Sequence, residues 1–382
     1  REGVSAGAER GYGLVRSRYE VAFPPSPSPV GEGVVRAYFQ DNDFPMPHLS
    51  TRVLQGLLTL LLTLFGLLLV TFALSAFSPV DRVLQIVGDH ASQSTYDQVR
   101  HQLGLDRPLP VQFWHYLQNL AHGDLGTASA TGQPVLQDLL HAFPATLELA
   151  TLALIIGTVL GVIAGVLCAR YAGSPLDLAI RTLTLLGNSV PIFWLGLLML
   201  ALFYAKLQWS AGPGRLDDIW QFTVEPRTGF ALVDTWLSGD REAFRNAISH
   251  LVLPVLLLAY YSLASITRLT RSACLSEMNK EYILLARAKG AGEMTILLRH
   301  VLPNIRSTLL TVIALAYTSM LEGAVLTETV FSWPGIGRYL TTALFAGDTT
   351  AVMGGTLLIG VCFVLINNLT DLLVRATDPR VR

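Results

Sequence analysis

The chain has 382 residues, of which 51% are hydrophobic and 14% charged, with 27 Lys and Arg against 28 Asp and Glu. That composition excludes an ordinary soluble domain, whereas the near-zero net charge excludes nothing about partners, because the charges are segregated along the chain. Three cysteines, Cys168, Cys274 and Cys362, lie far apart in or beside apolar runs, which argues against a disulfide framework or a zinc site.

In chain order, residues 1–45 come first, lacking any apolar run and carrying PPSPSP at 24–29. Two readings are open, a disordered cytosolic tail or non-native sequence upstream of a start at Met46, and the second is the expectation. Residues 46–80 hold the first expected membrane helix, on the uncharged run 53–80. That run is too long for a signal h-region, and no secretory cleavage signature accompanies it. An external segment is expected over 81–143, with helical periodicity at 98–103 and 113–120 separated by Pro108 and Pro110.

The remaining core, 144–382, holds uncharged runs at 149–169, 182–205, 251–267 and 349–370, and a shorter run at 307–321 that reaches 327 if Glu322 is tolerated. Crossing the hydrocarbon layer takes about 20 residues of helix, so six spans are expected and five are the alternative. The fourth attains that length by starting near Ala247 and including His250. Continuous apolar runs without alternation exclude a β-barrel. Pro191 in the third span and Pro254 in the fourth remove backbone donors inside helices, as a kink lining a pathway or as a passive packing kink. The segment 206–246 is a second external excursion, its short apolar cluster suited to a re-entrant or interfacial helix. Basic residues concentrate in 268–306, 170–181 and the C-terminal tail. With six spans all three lie on one side, which the positive-inside rule makes cytosolic, together with both termini.

Within 268–306, the stretch EYILLARAKGAGEMTILLRHVLPN at 281–304 reads as a helix, a break at Gly290-Ala-Gly292, a second short helical run through Ile296 and Leu297, and a stop at Pro303. A basic helix–turn–helix between membrane runs suits docking onto a soluble partner. Ala286, Gly290 and, twelve residues on, Leu302-Pro303 resemble the coupling-loop motif of ABC-importer permeases. The form ARAKG…RH.LPN is similar to their dipeptide, oligopeptide and nickel branch. LGLDRPLPVQFWHYL at 103–117, GDLGTA at 123–128, PATLELATLAL at 144–154 and Glu328-Thr-Val-Phe-Ser-Trp-Pro-Gly-Ile-Gly-Arg338 match the same family in the same order. Asn367, Asn368, Asp371 and DPRVR at 378–382 fit its ending.

The resemblance implies an all-α polytopic membrane protein of six transmembrane helices with the type I ABC importer permease fold, in a bacterial cytoplasmic (inner) membrane. The implied activity is translocation of small peptides by a non-catalytic subunit; a nickel or metal-chelate importer and a secondary transporter are the alternatives. Implied partners are a second homologous permease, two ABC ATPase subunits, an extracytoplasmic solute-binding protein and membrane lipid, with no nucleic acid. The chain itself has no G-x-x-x-x-G-K-[ST] phosphate loop, so ATP and Mg²⁺ belong to the partner subunits, and no metal site or cofactor is expected here. The coupling loop is placed at 276–304, with Glu281, Ala286, Arg287, Ala288, Lys289, Gly290, Arg299, His300, Leu302 and Pro303 as its docking residues.

Glu322 lies about fifteen residues, or about 22 Å, into the fifth span. A carboxylate there costs about 2.5–3.5 kcal/mol near mid-membrane, so it faces protein or water. It is expected to line the translocation pathway with Pro191 and Asn188; an interfacial carboxylate or a helix–helix hydrogen bond is the alternative. The family carries a small residue at this point, so Glu322 inherits no role. Pro334, Gly335 and Gly337 force a turn beside Trp333, giving an external re-entrant element in which Glu328 acts as a structural cap.

Overall fold

The computed structural model describes residues 49–78, 80–88 and 90–377. The chain divides into two units, 1–58 and 59–382. The first contributes only the opening turns of helix α1 to the described residues, and the expectations for 1–45 and for Met46 lie outside them. The packing that follows belongs to the second unit.

Helices of six or more residues are α1 (Leu49–Ala76), α2 (Arg82–Val87), α3 (Gln93–Gln102), α4 (Leu109–Ala121), α5 (Val135–Arg170), α6 (Pro175–Ser189), α7 (Ile192–Met199), α8 (Asp218–Thr223), α9 (Ala231–Leu237), α10 (Arg241–Met278), α11 (Glu281–Ala288), α12 (Arg306–Val330), α13 (Ile336–Phe345) and α14 (Thr349–Thr377). Wider π-helical turns continue α7 over Leu200–Lys206 and fill Ile296–Val301. Among the described residues the only β pairing is an isolated bridge between Thr127 and Pro134.

Among the described residues, four single helices are long and apolar enough to cross a membrane: α5, α10, α12 and Thr349–Val374 of α14. The expected continuous third span is instead a pair, Pro175–Gly187 and Ile192–Lys206, bent by 99°. The cause is local. Val190 is extended (φ −97°, ψ 130°) and caps α6, as a residue before proline favours, and Pro191 (ψ 132°) precedes α7. Pro191 therefore ends one helix and starts another, and is not a kink inside a span. Counting the pair as one span gives five, and α1 adds a shorter apolar helix over Leu60–Ala76. Pro254, by contrast, is buried inside the unbroken α10.

The segment expected to be external folds into α2–α4 and the first turns of α5. Its α4 lies along α1 through Phe113, whose ring is 5.9 Å from Phe65 and 5.1 Å from Phe72. Buried Asp348, ahead of α14, accepts hydrogen bonds from the backbone N–H groups of Ser129 and, at 3.0 Å, of Ala351. Arg82 Nε donates to Thr349 Oγ1 at 3.1 Å. The segment is thereby tied to the base of the last helix.

The central seam joins α5 to α10. Gly157, Gly161 and Gly165, one turn apart on α5, face Ser262, Ile266 and Thr270 on α10 so closely that any added Cβ would collide with them. Both sets of numbers rise together, so the two helices run parallel. Without a hydrophobic drive inside lipid, such small-residue seams hold helices by close backbone approach. Thr267 Oγ1 adds a hydrogen bond to Gly161 O across the seam, at 3.3 Å. Around it, Leu149, Ala153, Leu257, Leu258, Ile192, Met320, Phe331 and Trp333 form one buried cluster.

Candidate functional sites at the two ends of the α5–α10 pair

At the C-terminal ends of α5 and α10 sits the loop 276–304. Its α11 turns Ile283 inward, and the following segment turns in Ile296, Leu297 and Val301; these pack with Val166, Ala169, Cys274 and Ile305. A polar clamp closes the loop. Tyr282 OH donates to Glu277 Oε1 at 2.6 Å, Asn304 Nδ2 donates to Tyr282 OH at 3.1 Å and to His300 O at 2.6 Å, and Lys280 lies 2.7 Å from Glu277. Gly290 has φ +82°, a left-handed conformation that suits glycine, and it ends α11.

Arg287 donates to both carboxylate oxygens of Glu293, at 2.8 and 3.2 Å, spanning the Gly290–Gly292 turn. This pair holds the Glu293 carboxyl below the usual glutamate range and raises Arg287 further. What the loop leaves outward is mixed: Leu284, Leu285, Met294 and Leu298 are exposed, among Glu281, Arg287, Ala288, Lys289, Arg299 and Pro303. Ala286, His300 and Leu302 are half-buried against the loop's own core. An exposed apolar cluster ringed by charge is what a protein-docking surface presents.

At the other end, the turn between α12 and α13 is locked into α5. Glu328 is fully buried and accepts from Thr146 Oγ1 at 2.6 Å and from the backbone N–H groups of Gly337 at 2.7 Å and Arg338 at 3.2 Å. Its carboxyl group thus sits at the N-terminus of α13, where it accepts from N–H groups that the helix leaves unpaired. Trp333 is fully buried and donates from Nε1 to Ala145 O at 2.9 Å. Side chains at Gly335 and Gly337 would strike the Glu328 carboxylate and the Val325 backbone. Pro334 is exposed at the tip.

A second buried carboxylate, Glu148, escapes sequence reasoning. It accepts from Arg215 Nη2 and from the backbone N–H groups of Ala231 at 3.1 Å and Leu232 at 2.8 Å. The Arg215 guanidinium lies 5.6 Å from the Trp333 ring centre. The signal available was a lone Glu in an apolar helix; its partner is far along the chain and unmarked.

Of the expected pathway residues, Glu322 is exposed on α12 and lies in one stripe with Thr308, Thr311, Leu315, Ser319, Leu326 and Thr329, three or four residues apart. Pro191 is exposed at the α6–α7 break, and the Asn188 side chain lies outside the described part. Beside the stripe, α7, α10 and α12 line a half-open cavity of about 360 Å³ whose lining includes Ile192, Ser262, Ser265, Arg268, Ser319 and Gly323. The structure does not bring Glu322 together with Glu328; they occupy different faces of α12. Among the described residues no group of three or more His, Cys, Asp or Glu is placed to hold a metal ion.

A model of the family described as "Binding-protein-dependent transport system inner membrane component" matches residues 139–382, and one of that system's N-terminal membrane component matches 48–150. The chain is 44% identical to the probable D,D-dipeptide transport system permease protein DdpB of Escherichia coli K12, covering 84% of this chain and 94% of that protein. It is 41% identical to the di/tripeptide transport system permease protein DppB of Pseudomonas aeruginosa, covering 84% and 95%. The dipeptide transport system permease protein DppB of E. coli K12 is 40% identical over the same shares. A solved chain of the inward-facing methionine ABC transporter MetNI is 18% identical, covers 64% of this chain and 97% of its own, and gives a TM-score of 0.48.

Proposed function

The chain belongs to the family of binding-protein-dependent transport system inner membrane components, and from that premise we propose that it is the permease subunit of an ABC importer for small peptides of the di- or tripeptide class. The peptide names of three relatives at 40–44% identity support that solute class over a nickel or metal-chelate importer. Membership in the family displaces the secondary-transporter alternative. An extracytoplasmic solute-binding protein delivers the peptide, a second homologous permease completes the pathway, and two ATPase subunits supply ATP and Mg²⁺ chemistry. Both termini and the loop 276–304 face the cytosol.

The observation that carries the coupling role is the build of that loop. It is rigid inside, through Ile283, Ile296, Leu297 and the Tyr282–Asn304 clamp, and apolar and charged outside. A stiff knob rooted on α5 and α10 is suited to passing an ATPase movement into the membrane. Gly290→Pro is incompatible with φ +82°, and Arg287→Glu breaks the pair across the turn. Both variants are expected to insert at normal abundance, lose co-purifying ATPase and abolish uptake of a labelled dipeptide. Normal uptake in both would remove the docking assignment.

For the pathway, the stripe on α12 supports a wet or protein-covered face. A carboxylate on one side of a membrane-length helix is costly against lipid; of the four hydroxyls in line with it, those of Thr311 and Thr329 already donate to carbonyls of their own helix. Glu322 then meets the free ammonium of the passing peptide.

A further inference from the structure

One cluster of charge lies outside the docking loop and is shared with the pathway cavity only through Arg268, which lines both. It lies in a cleft of about 360 Å³ between α6 and α10, lined by Arg181, Arg268 and Arg271 together with Thr182, Ser272 and Leu185. The cleft sits where the uncharged runs on α6 and α10 meet their flanking arginines. The uncharged run 182–205 starts directly after Arg181, and the run 251–267 ends directly before Arg268. Three guanidinium groups from two helices therefore converge where apolar sequence gives way to polar.

Their charges are unevenly neutralised. The carboxylate of Asp177, 1% exposed, is taken up by Arg271, whose Nε and Nη2 each donate at 2.8 Å, and by the Gly173 N–H at 3.0 Å. Arg181, 57% exposed, lies at 4.0 Å from the same carboxylate. Arg268 is exposed and makes no hydrogen bond or ion pair among the described residues. The cleft thus keeps two guanidinium groups of net positive charge. On the apolar side Tyr260 OH donates to Leu183 O at 2.6 Å, joining the two helices, and Leu185 stands exposed along the wall.

We propose that this cleft binds the headgroup of an anionic phospholipid. Its phosphate lies between Arg181 and Arg268, with the hydroxyls of Thr182 and Ser272 beside it, and an acyl chain runs along Leu185. Guanidinium forks match phosphate oxygens in pairs, and basic pockets between membrane helices are the recurrent form of such sites. The apolar wall selects a lipid over a free phosphate ion. The proposal rests on α6 and α10 lying in a membrane and not on which solute is carried, and its readout uses neither ATP nor peptide.

The test uses the assembled transporter, extracted in detergent and examined by native mass spectrometry after incubation with phosphatidylglycerol, with phosphatidylcholine of the same chains, or with inorganic phosphate. Wild type is expected to retain phosphatidylglycerol and to be stabilised by it against heat, with no such effect of the other two. Arg181→Gln or Arg268→Gln should each weaken retention roughly fivefold, and the pair together more than tenfold. Arg268→Lys, which keeps the charge but loses the fork, should weaken retention less than Arg268→Gln, and Arg170→Gln, which removes a charge outside the cleft, should leave it within about twofold of wild type. If the double variant fails to assemble, Arg181→Gln and the wild-type lipid comparison still decide. Retention unchanged in the Gln variants, equal retention of phosphatidylcholine, or stabilisation by inorganic phosphate equal to that by phosphatidylglycerol would each overturn the assignment.

Discussion

At the scale of single residues, the turn after α12 shows how little room the site allows. Gly337→Ala places a methyl group against the Val325 backbone, so it should destabilise the chain by about 1–3 kcal/mol. The melting temperature of the purified transporter should fall, while Gly66→Ala, whose added Cβ meets nothing within 4 Å, leaves it unchanged. Glu322→Gln keeps size and removes charge; uptake of free-amine dipeptides should fall roughly tenfold or more, with basal ATP hydrolysis preserved. Uptake equal to wild type would leave Glu322 a structural group. Much of this was legible beforehand, because Pro334-Gly335 and Gly337 spell a turn and a buried-sequence Glu beside it needs donors. Glu148 was not, since its partners are Arg215 and the first N–H groups of α9, at Ala231 and Leu232, which only the tertiary fold brings over it.

At the scale of elements, the docking loop carries a dependence on pH. Arg287 holds the Glu293 carboxyl below its ordinary value of 4.5, so the pair's contribution is complete above that value and is lost as pH falls through the lower, folded one. The pair is part-exposed and its share of stability is modest. Hydrogen exchange over 281–295, corrected for intrinsic rate, should rise below about pH 4.5 in wild type and be raised and pH-independent in Glu293→Gln. The glycine seam predicts differently: Gly161→Ala should cost about 1–3 kcal/mol through overpacking against Ile266 and the Leu263 carbonyl, read as loss of folded transporter. Apolar runs gave away the membrane helices, but not their ends. The helix α5 begins at Val135, well before the uncharged run at 149, because Asp138, His141 and Glu148 interrupt the pattern without interrupting the helix. Pro191 marked a disturbance; only the extended Val190 before it turns a kink into a break.

At the scale of the whole molecule, the α12 stripe must be covered or wet in the assembled transporter. A cysteine at position 322, in a background where half-buried Cys362 is replaced by serine and buried Cys168 and Cys274 remain, should react with a water-soluble thiol reagent. The extent of labelling should differ between nucleotide-free and nucleotide-trapped states, and unchanged labelling in both would remove the position from the alternating cavity. The parallel pairing of α5 with α10 has a further consequence, and it concerns time. The glycine face of α5 leaves the ribosome about a hundred residues before Ser262, Ile266 and Thr270. At roughly 5–20 residues per second the bare face waits on the order of 5–20 s in the bilayer, while the bent pair between them is made and inserted. During that interval any passing helix with small residues is a competitor for it, so the yield of correctly folded permease depends on how quickly the ribosome reaches α10.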